Sequence, residues 1–242
     1  MNAGCEHLPW DTAFFGFKVA RVLAGTIKPG DGRAVLSWCH REGVRLLYFL
    51  AGDDLASWAE ATDTGFRLVD IRVDLVLDSS RTSTPPTMLH PGVTLREATL
   101  EDLPNLLPLA RTVHVDSRFL ADPAVPRDKA GELFAVWLRR SVERAIADVV
   151  FVAEAEGRAI SYVTAKLAGG VGSIGLVGVG EAARGRGIGL ATVQRALQWF
   201  HAHEAKEVRV VTQGRNVSAQ RLYARCGFVT ASCRLWFHRW FQ

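Results

Sequence analysis

The chain has 242 residues, of which 48% are apolar and 22% charged, with a formal net charge of +4. That balance describes a globular protein long enough for one large or two small domains, and it excludes a disordered chain. No apolar run approaches the roughly 20 residues that span a bilayer, and the basic residues are spread out rather than interleaved with aromatics, so neither a membrane nor a nucleic-acid partner is expected.

Residues 1–10 include Glu6 and His7 and lack the apolar core of a signal peptide, so a cytoplasmic protein is expected. Residues 44–50 read as an apolar strand, 54–61 as a helix, Gly65-Phe66 as a turn and 69–77 as an alternating strand. Asp70 and Asp74 fall on one face of that last strand with Arg72 between them. Apolar periodicity lapses over residues 78–92, DSSRTSTPPTMLHPG. This gives a first domain at 1–80, a linker at 81–92 and a second domain at 93–242.

The second domain opens with a strand at 93–97, a helix at 100–111 and a longer amphipathic helix at 128–147. Strands at 149–155, 159–167 and 171–179 follow, joined by turns at Glu156-Gly157 and Gly169-Gly170. After a glycine-rich stretch come a helix at 190–200, a strand at 207–211, a helix at 217–225 and a last strand at 228–240. The expected class is α/β (α+β), with strands and helices mixed. The run from the strand near 208 to the one ending near 237 repeats the first domain's strand, helix, Gly-Phe and strand at nearly the same spacing. The first domain therefore reads as a partial copy of the C-terminal half of the second.

Arg184-Gly185-Arg186-Gly187-Ile188-Gly189 stands between an apolar strand and a helix. A strand that empties through glycines into a helix presents unpaired N–H groups at the positive end of the helix dipole, which suits a phosphate or pyrophosphate. The glycines let the backbone approach the anion, and Arg184 and Arg186 add charge. A P-loop is excluded because no Gly-x-x-x-x-Gly-Lys is present. The dinucleotide fingerprint is excluded because its third glycine position is Thr192. Four cysteines without C-x-x-C spacing read as free thiols, and the seven histidines form no H-x-x-x-H pattern, so no metal is expected.

The remaining pattern, Arg-x-x-Gly-x-Gly, resembles the pyrophosphate-binding motif of the Gcn5-related N-acetyltransferases (GNAT). The order of strands and helices from residue 93 onward is similar to that family's layout. The resemblance implies a mostly antiparallel sheet flanked by helices, with acetyl-coenzyme A as co-substrate gripped by Arg184, Gly185, Arg186, Gly187, Ile188 and Gly189. It implies that Val177, Gly178 and Val179 offer main-chain groups to the pantetheine and acetyl carbonyl. It further implies that Asn216 contacts the pantetheine arm and that Tyr223 protonates the departing thiolate. Where family members often carry a proline before the loop, this chain has Glu181. The strand before the loop holds no carboxylate, so Asp70 is the candidate general base if its face meets the second domain, with bulk water as the alternative.

Within the family, Trp10-Asp11-Thr12-Ala13-Phe14-Phe15-Gly16, Ser117-Arg118-Phe119 and Val211-Thr212-Gln213 resemble members that acetylate nucleotide-linked amino sugars. The implied acceptor is the amine of a 4-amino-4,6-dideoxy sugar. Arg118 is then expected to meet its diphosphate, and Phe14, Phe15 or Phe119 to stack on its base or sugar. Another small amine, or a non-catalytic acyl-coenzyme A binding role, is the alternative. A homodimer is the expected assembly.

Overall fold

The helices and strands expected after residue 93 all form, and the sheet they build reaches back into the first eighty residues. The computed structural model describes residues 4–78 and 91–242. The Ser/Thr/Pro-rich boundary expected at 81–92 therefore lies mostly outside the described residues. In chain order come β1 (Cys5–His7), α1 (Pro9–Phe15), β2 (Val19–Val22), α2 (Gly32–Glu42), β3 (Leu46–Ala51), α3 (Leu55–Asp63) and β4 (Arg67–Asp78). Then follow β5 (Val93–Glu97), α4 (Leu103–Val113), α5 (Arg118–Ala121), α6 (Arg127–Val142), β6 (Val149–Ala155), β7 (Arg158–Ala168) and β8 (Val171–Val179). The chain ends with α7 (Ile188–Ala202), β9 (Glu207–Gln213), α8 (Val217–Arg225) and β10 (Val229–Trp240).

Two differences from the expected elements have local causes. Helix α6 stops at Val142 rather than 147, because Arg144 adopts φ 60° and the chain turns out of the helix there. Helix α1 is seven residues long, starts on Pro9 and stops at Gly16 with φ 81°, too short to show a helical period.

Ten strands form one sheet in the order β1-β2-β3-β10-β4-β9-β8-β7-β6-β5. Pairing is antiparallel except between β2 and β3 and between β8 and β9. The two ends of the chain interlock: β4 lies between β9 and β10, and β10 lies between β3 and β4. Around the β10–β4 seam the order reads the same outward in both directions, with β3 matching β9 and β2 matching β8. Helices α3 and α8 have equal length and are offset by 162 positions, as are β4 and β10 (Leu55 to Val217, Arg67 to Val229). Their caps match too: Asp54 accepts from Ser57 N, and Asn216 accepts from Ala219 N. The registers differ by one: Phe237 pairs with Phe49, whereas Leu75, its counterpart at that offset, pairs with Val210 rather than Val211.

One face of the sheet is covered by α2, α3, α7 and α8. Val73, Leu75 and Val210 pack there with Val193, Leu197 and Phe200, while Phe49 and Phe237 pack with Val35 and Trp38. The other face carries α1, α4, α5 and α6, with Tyr48, Phe119, Leu133 and Phe134 in one cluster and Leu106, Leu138 and Tyr162 in the next. Each fully buried aromatic or aliphatic side chain contributes about 1.5–3 kcal/mol of hydrophobic free energy. No helix among the described residues is long and apolar enough to cross a membrane. No disulfide joins any of the four cysteines, all of which lie among the described residues.

Candidate active site

The parallel pairing of β8 with β9 covers only Val171–Ile174 and Glu207–Val210, after which the two strands part. Strand β8 runs on to Val179 held by β7 alone. Leu176 N donates to Thr164 Oγ1 at 2.8 Å and Gly180 N to the Ile160 carbonyl at 2.9 Å, both on the β7 side. Main-chain groups alternate sides along a strand, so Gly178 also faces β7 while Val177 and Val179 face the opening. Gly178 has a second task. A Cβ there would lie 2.4 Å from the Tyr162 ring, so only glycine lets Tyr162 cross beneath the strand and meet His114 Nε2 at 2.6 Å.

Beyond Val179 the chain makes one short 3-10 turn, Glu181–Ala183, and enters the glycine loop. Arg184 folds back so that its Nε donates to the Val179 carbonyl at 3.3 Å. Gly185 and Gly187 adopt φ 73° and 75°, and a Cβ at either would meet nothing within 4 Å, so the loop surface is open. Ile188, Gly189 and Leu190 begin α7 with no preceding turn to accept from their N–H groups. At Gly189 a Cβ would stand 3.0 Å from both Leu222 Cδ1 and Val179 Cγ2, so glycine is what lets α7 seat against β8 and α8. Bare N–H groups, a helix start and two arginines fit a pyrophosphate ester.

Helix α8 borders the same opening. Asn216 Oδ1 accepts from Ala219 N and Ser218 Oγ, both at 3.0 Å, leaving its amide nitrogen as the group to offer a ligand. Tyr223, 4% exposed, lies edge-on to Phe228 at 5.7 Å in the cluster that also holds Val177 and Leu190. Burial, with a smaller push from Cys226, raises its phenol well above the usual value, so it stays protonated across the physiological range.

On the opposite face, Asp70 is 4% exposed rather than part of a solvated row, and it pairs across the sheet with Trp236. It adjoins the end of β9: Gly214 N donates to the Ile71 carbonyl at 2.7 Å, and Arg215 Nη2 to the Val69 carbonyl at 2.6 Å. Desolvation raises the Asp70 carboxyl to about 6, against the pull of the Ile71 N–H, Arg215 and Arg118. Asp74 takes another path. Burial works against its charge, but hydrogen bonds from Arg72 and Arg234 outweigh it and hold the carboxyl below its usual range.

Arg118 stands apart from the diphosphate clamp expected of it. Its guanidinium carbon lies 4.2 Å from the Tyr48 ring centre, 4.1 Å from Phe119 and 4.3 Å from Trp236. Its Nη1 donates to His238 Nε2 at 2.7 Å, and Asp11 and Asp70 are near enough to stabilise its charge. Phe15 and Phe119 are buried among Val19, Tyr48 and Leu133, which leaves neither a ring face for a base. Phe14 is half-buried, stacked on Trp10 at 5.3 Å with Lys129 Nζ 5.3 Å from its ring centre. Tyr48, Asp122 and His238, unmarked in the sequence reading, complete this cluster; a histidine amid the apolar strand residues Trp236, Phe237 and Trp240 is the signal that points to them. No group of three or more metal-binding side chains occurs among the described residues.

Known proteins match this chain in the same terms. The model of the acetyltransferase (GNAT) family matches residues 118–228, from α5 to the start of β10. The dTDP-fucosamine acetyltransferase of Escherichia coli O6:H1 is 28% identical over 242 residues, covering 99% of each chain. The spore coat polysaccharide biosynthesis protein SpsD of Bacillus subtilis is 30% identical over 132 residues, 54% of this chain and 45% of that one. A crystal structure of a GCN5-related N-acetyltransferase from Sphaerobacter thermophilus superposes with a TM-score of 0.70 over 98% of this chain and 76% of that one, at 17% identity, which is a likeness of fold. The split strands, the glycine cradle and the match of residues 118–228 to the acetyltransferase (GNAT) family model agree, and together with the acetyltransferase relative they support an N-acetyltransferase.

Proposed function

We propose that the chain transfers an acetyl group from acetyl-coenzyme A to the primary amine of a nucleotide-linked amino sugar of the 4-amino-4,6-dideoxyhexose type, by direct attack of the amine on the thioester. The observation that carries this reading is the opening between β8 and β9. One lip leads into the glycine cradle, and the other ends beside the buried carboxyl of Asp70. The relative named dTDP-fucosamine acetyltransferase, alignable over the whole length, supports the acceptor class.

Arg184, Gly185, Arg186, Gly187, Ile188 and Gly189 would hold the coenzyme pyrophosphate, and Val177, Val179 and Asn216 its pantetheine arm. The bound coenzyme supplies an acetyl thioester and a thiol leaving group. Val177 and Val179 aim fixed N–H groups into the opening, where each is worth a few kcal/mol to an oxygen gaining negative charge. Asp70, raised to about 6, is mostly ionised at pH 7 and accepts the proton that the amine must lose. Tyr223 delivers its phenol proton to the departing sulfur and recovers one from solvent. Residues 1–80 lack a cradle and serve the acceptor side through Asp11, Tyr48 and Asp70. Acetyl-coenzyme A and nucleotide sugars are both cytoplasmic compounds, which supports a cytoplasmic enzyme.

The test is thiol release from acetyl-coenzyme A with a panel of TDP-linked amino sugars, free amino sugars and amino acids. Turnover is expected with a TDP-linked 4-amino sugar, and its absence across that class would overturn the acceptor assignment. Tyr223→Phe separates catalysis from binding. It is expected to lower kcat by about 10²-fold or more, the usual share of a general acid, with coenzyme A affinity within twofold of the parent. An unchanged kcat would remove Tyr223 from the mechanism.

A further inference from the structure

Four polar side chains, Asp11, Tyr48, Asp70 and Arg118, lie near one another on the acceptor face. Tyr48 is 1% exposed, yet its hydroxyl has no hydrogen-bond partner. Asp11 and Arg118 flank it closely enough for charge and weak hydrogen-bond coupling to both, but neither reaches the hydroxyl at the distance and angle of a full hydrogen bond. An orphaned buried hydroxyl costs about 1–3 kcal/mol, which a bound oxygen would relieve.

Arg118 beside it is fixed with care. An arginine only donates, so the 2.7 Å contact makes His238 Nε2 an acceptor and places the imidazole proton on Nδ1. That Nδ1–H donates to Asp122 Oδ2 at 2.6 Å, and Asp122 also accepts from Trp240 Nε1 and Ala124 N. Asp122 and His238 therefore orient Arg118 rather than meet a ligand. The guanidinium keeps further N–H groups for other partners, and the residue is half-buried rather than sealed off.

The charges decide what fits. Arg118 is flanked by Asp11 on one side and Asp70 on the other, with Asp116 near Asp70. Each guanidinium here is matched by a carboxylate, Arg118 by Asp11 and Arg215 by Asp70, so no surplus of positive charge is left to hold a diphosphate. Alternating acceptors and donors beside the half-buried Trp236 indole instead match the vicinal hydroxyls and apolar face of a sugar ring.

We propose that Asp11, Tyr48 and Arg118 form the subsite for the ring hydroxyls of the acceptor hexose, with Asp122 and His238 as positioning residues and Asp70 at the amine. This rests on the amino-sugar reading above and names which part of that substrate the first eighty residues grip. A nucleotide's phosphates then lie outside this cluster.

Tyr48→Phe removes one unpaired atom and leaves the packing intact, so the fold is retained. For the TDP-linked amino sugar that the enzyme turns over, the variant is expected to raise KM about tenfold, the worth of one hydrogen bond, with kcat and coenzyme A affinity unchanged. With an analogue deoxygenated at the contacted ring carbon, parent and variant should have the same KM. His238→Leu, which frees Arg118, should raise KM for the full sugar in the same direction, and His238→Gln, which restores an acceptor, should recover part of the loss. An equal KM for Tyr48→Phe and the parent on the full sugar would overturn the subsite while leaving the function standing. Weakened binding of TDP alone by Tyr48→Phe would show that the cluster holds phosphate, which also overturns it. Absence of turnover with every amino sugar would overturn both readings together.

Discussion

The two halves of this sheet start from the same plan and treat a helix start in opposite ways. In the second half, β8 and β9 part after Ile174, and α7 begins with bare N–H groups over an open glycine loop. In the first half, β2 and β3 pair over Val19–Arg21 and Leu46–Tyr48, and the chain just beyond them is joined again where Gly52 N donates to the Gly25 carbonyl at 2.8 Å. The start of α2 is already filled, because Gly30 N and Gly32 N both donate to the Glu60 carboxylate at 3.0 Å. By the offset of 162, Glu60 corresponds to Leu222 and Ala61 to Tyr223. The first copy satisfies its anion site from within and lacks a phenol. The second offers the start of α7 no such carboxylate and adds a phenol.

The largest effect should come from closing the second copy. Gly187→Asp with Gly189→Asp places a carboxylate at the cradle and a Cβ in the 3.0 Å gap against Leu222 and Val179. Coenzyme A binding by titration calorimetry is expected to weaken by about a thousandfold, equivalent to losing about 4 kcal/mol. Binding that survives would show that the cradle lies elsewhere.

A smaller effect tests what the first copy gives the second. Asp70 corresponds to Ser232 on β10, so only the first copy supplies this carboxylate. With the carboxyl at about 6, kcat/KM should climb as pH rises from 5 to 7 and then level off. Asp70→Asn should lower the plateau about tenfold to a hundredfold and erase that limb. Stability moves the other way. A carboxyl raised in the folded state favours folding while protonated, and this contribution is lost as pH rises through 6. Asp70→Asn should therefore match the parent near pH 4 and exceed it above pH 7 by about 2 kcal/mol, visible in urea unfolding. A parent profile flat from pH 5 to 7 would return the proton to bulk water.

Much of this was legible in residues whose partners are near in sequence. The glycine cradle, the caps at Asp54 and Asn216, and the strand–helix–Gly-Phe–strand echo are local patterns, and the structure keeps them at constant offset. The interlock of β4 between β9 and β10 depends on pairings far apart in the chain, such as Arg72 with Gln213, for which local periodicity carries no signal. Asp70 reads as solvated because alternation shows which face a residue takes but not that α5 covers that face. Tyr48 hides within the apolar run Leu46–Ala51, and its charged neighbours Asp11 and Arg118 come from two other segments. Phe15 and Phe119 invite a stacking role by residue type, yet aromatic rings beside a short helix are what packs that helix down.

The finest comparison is at Glu60. Glu60→Leu gives the first copy the residue that the second carries at Leu222, and it leaves the N–H groups of Gly30 and Gly32 without their acceptor. Removing that anion from a helix start should cost about 1–2 kcal/mol, or roughly 3–6 °C in Tm for a chain of this size. The bare helix start alone should not create a second cofactor site, because the Gly25–Gly52 bond still joins the chain just beyond β2 and β3 and no open strand edge faces it. Titration of the variant with coenzyme A is therefore expected to saturate at one equivalent per chain, as for the parent. Two equivalents would mean that one carboxylate is all that separates the copies, and that the parting of β8 from β9 follows the ligand rather than preparing its place.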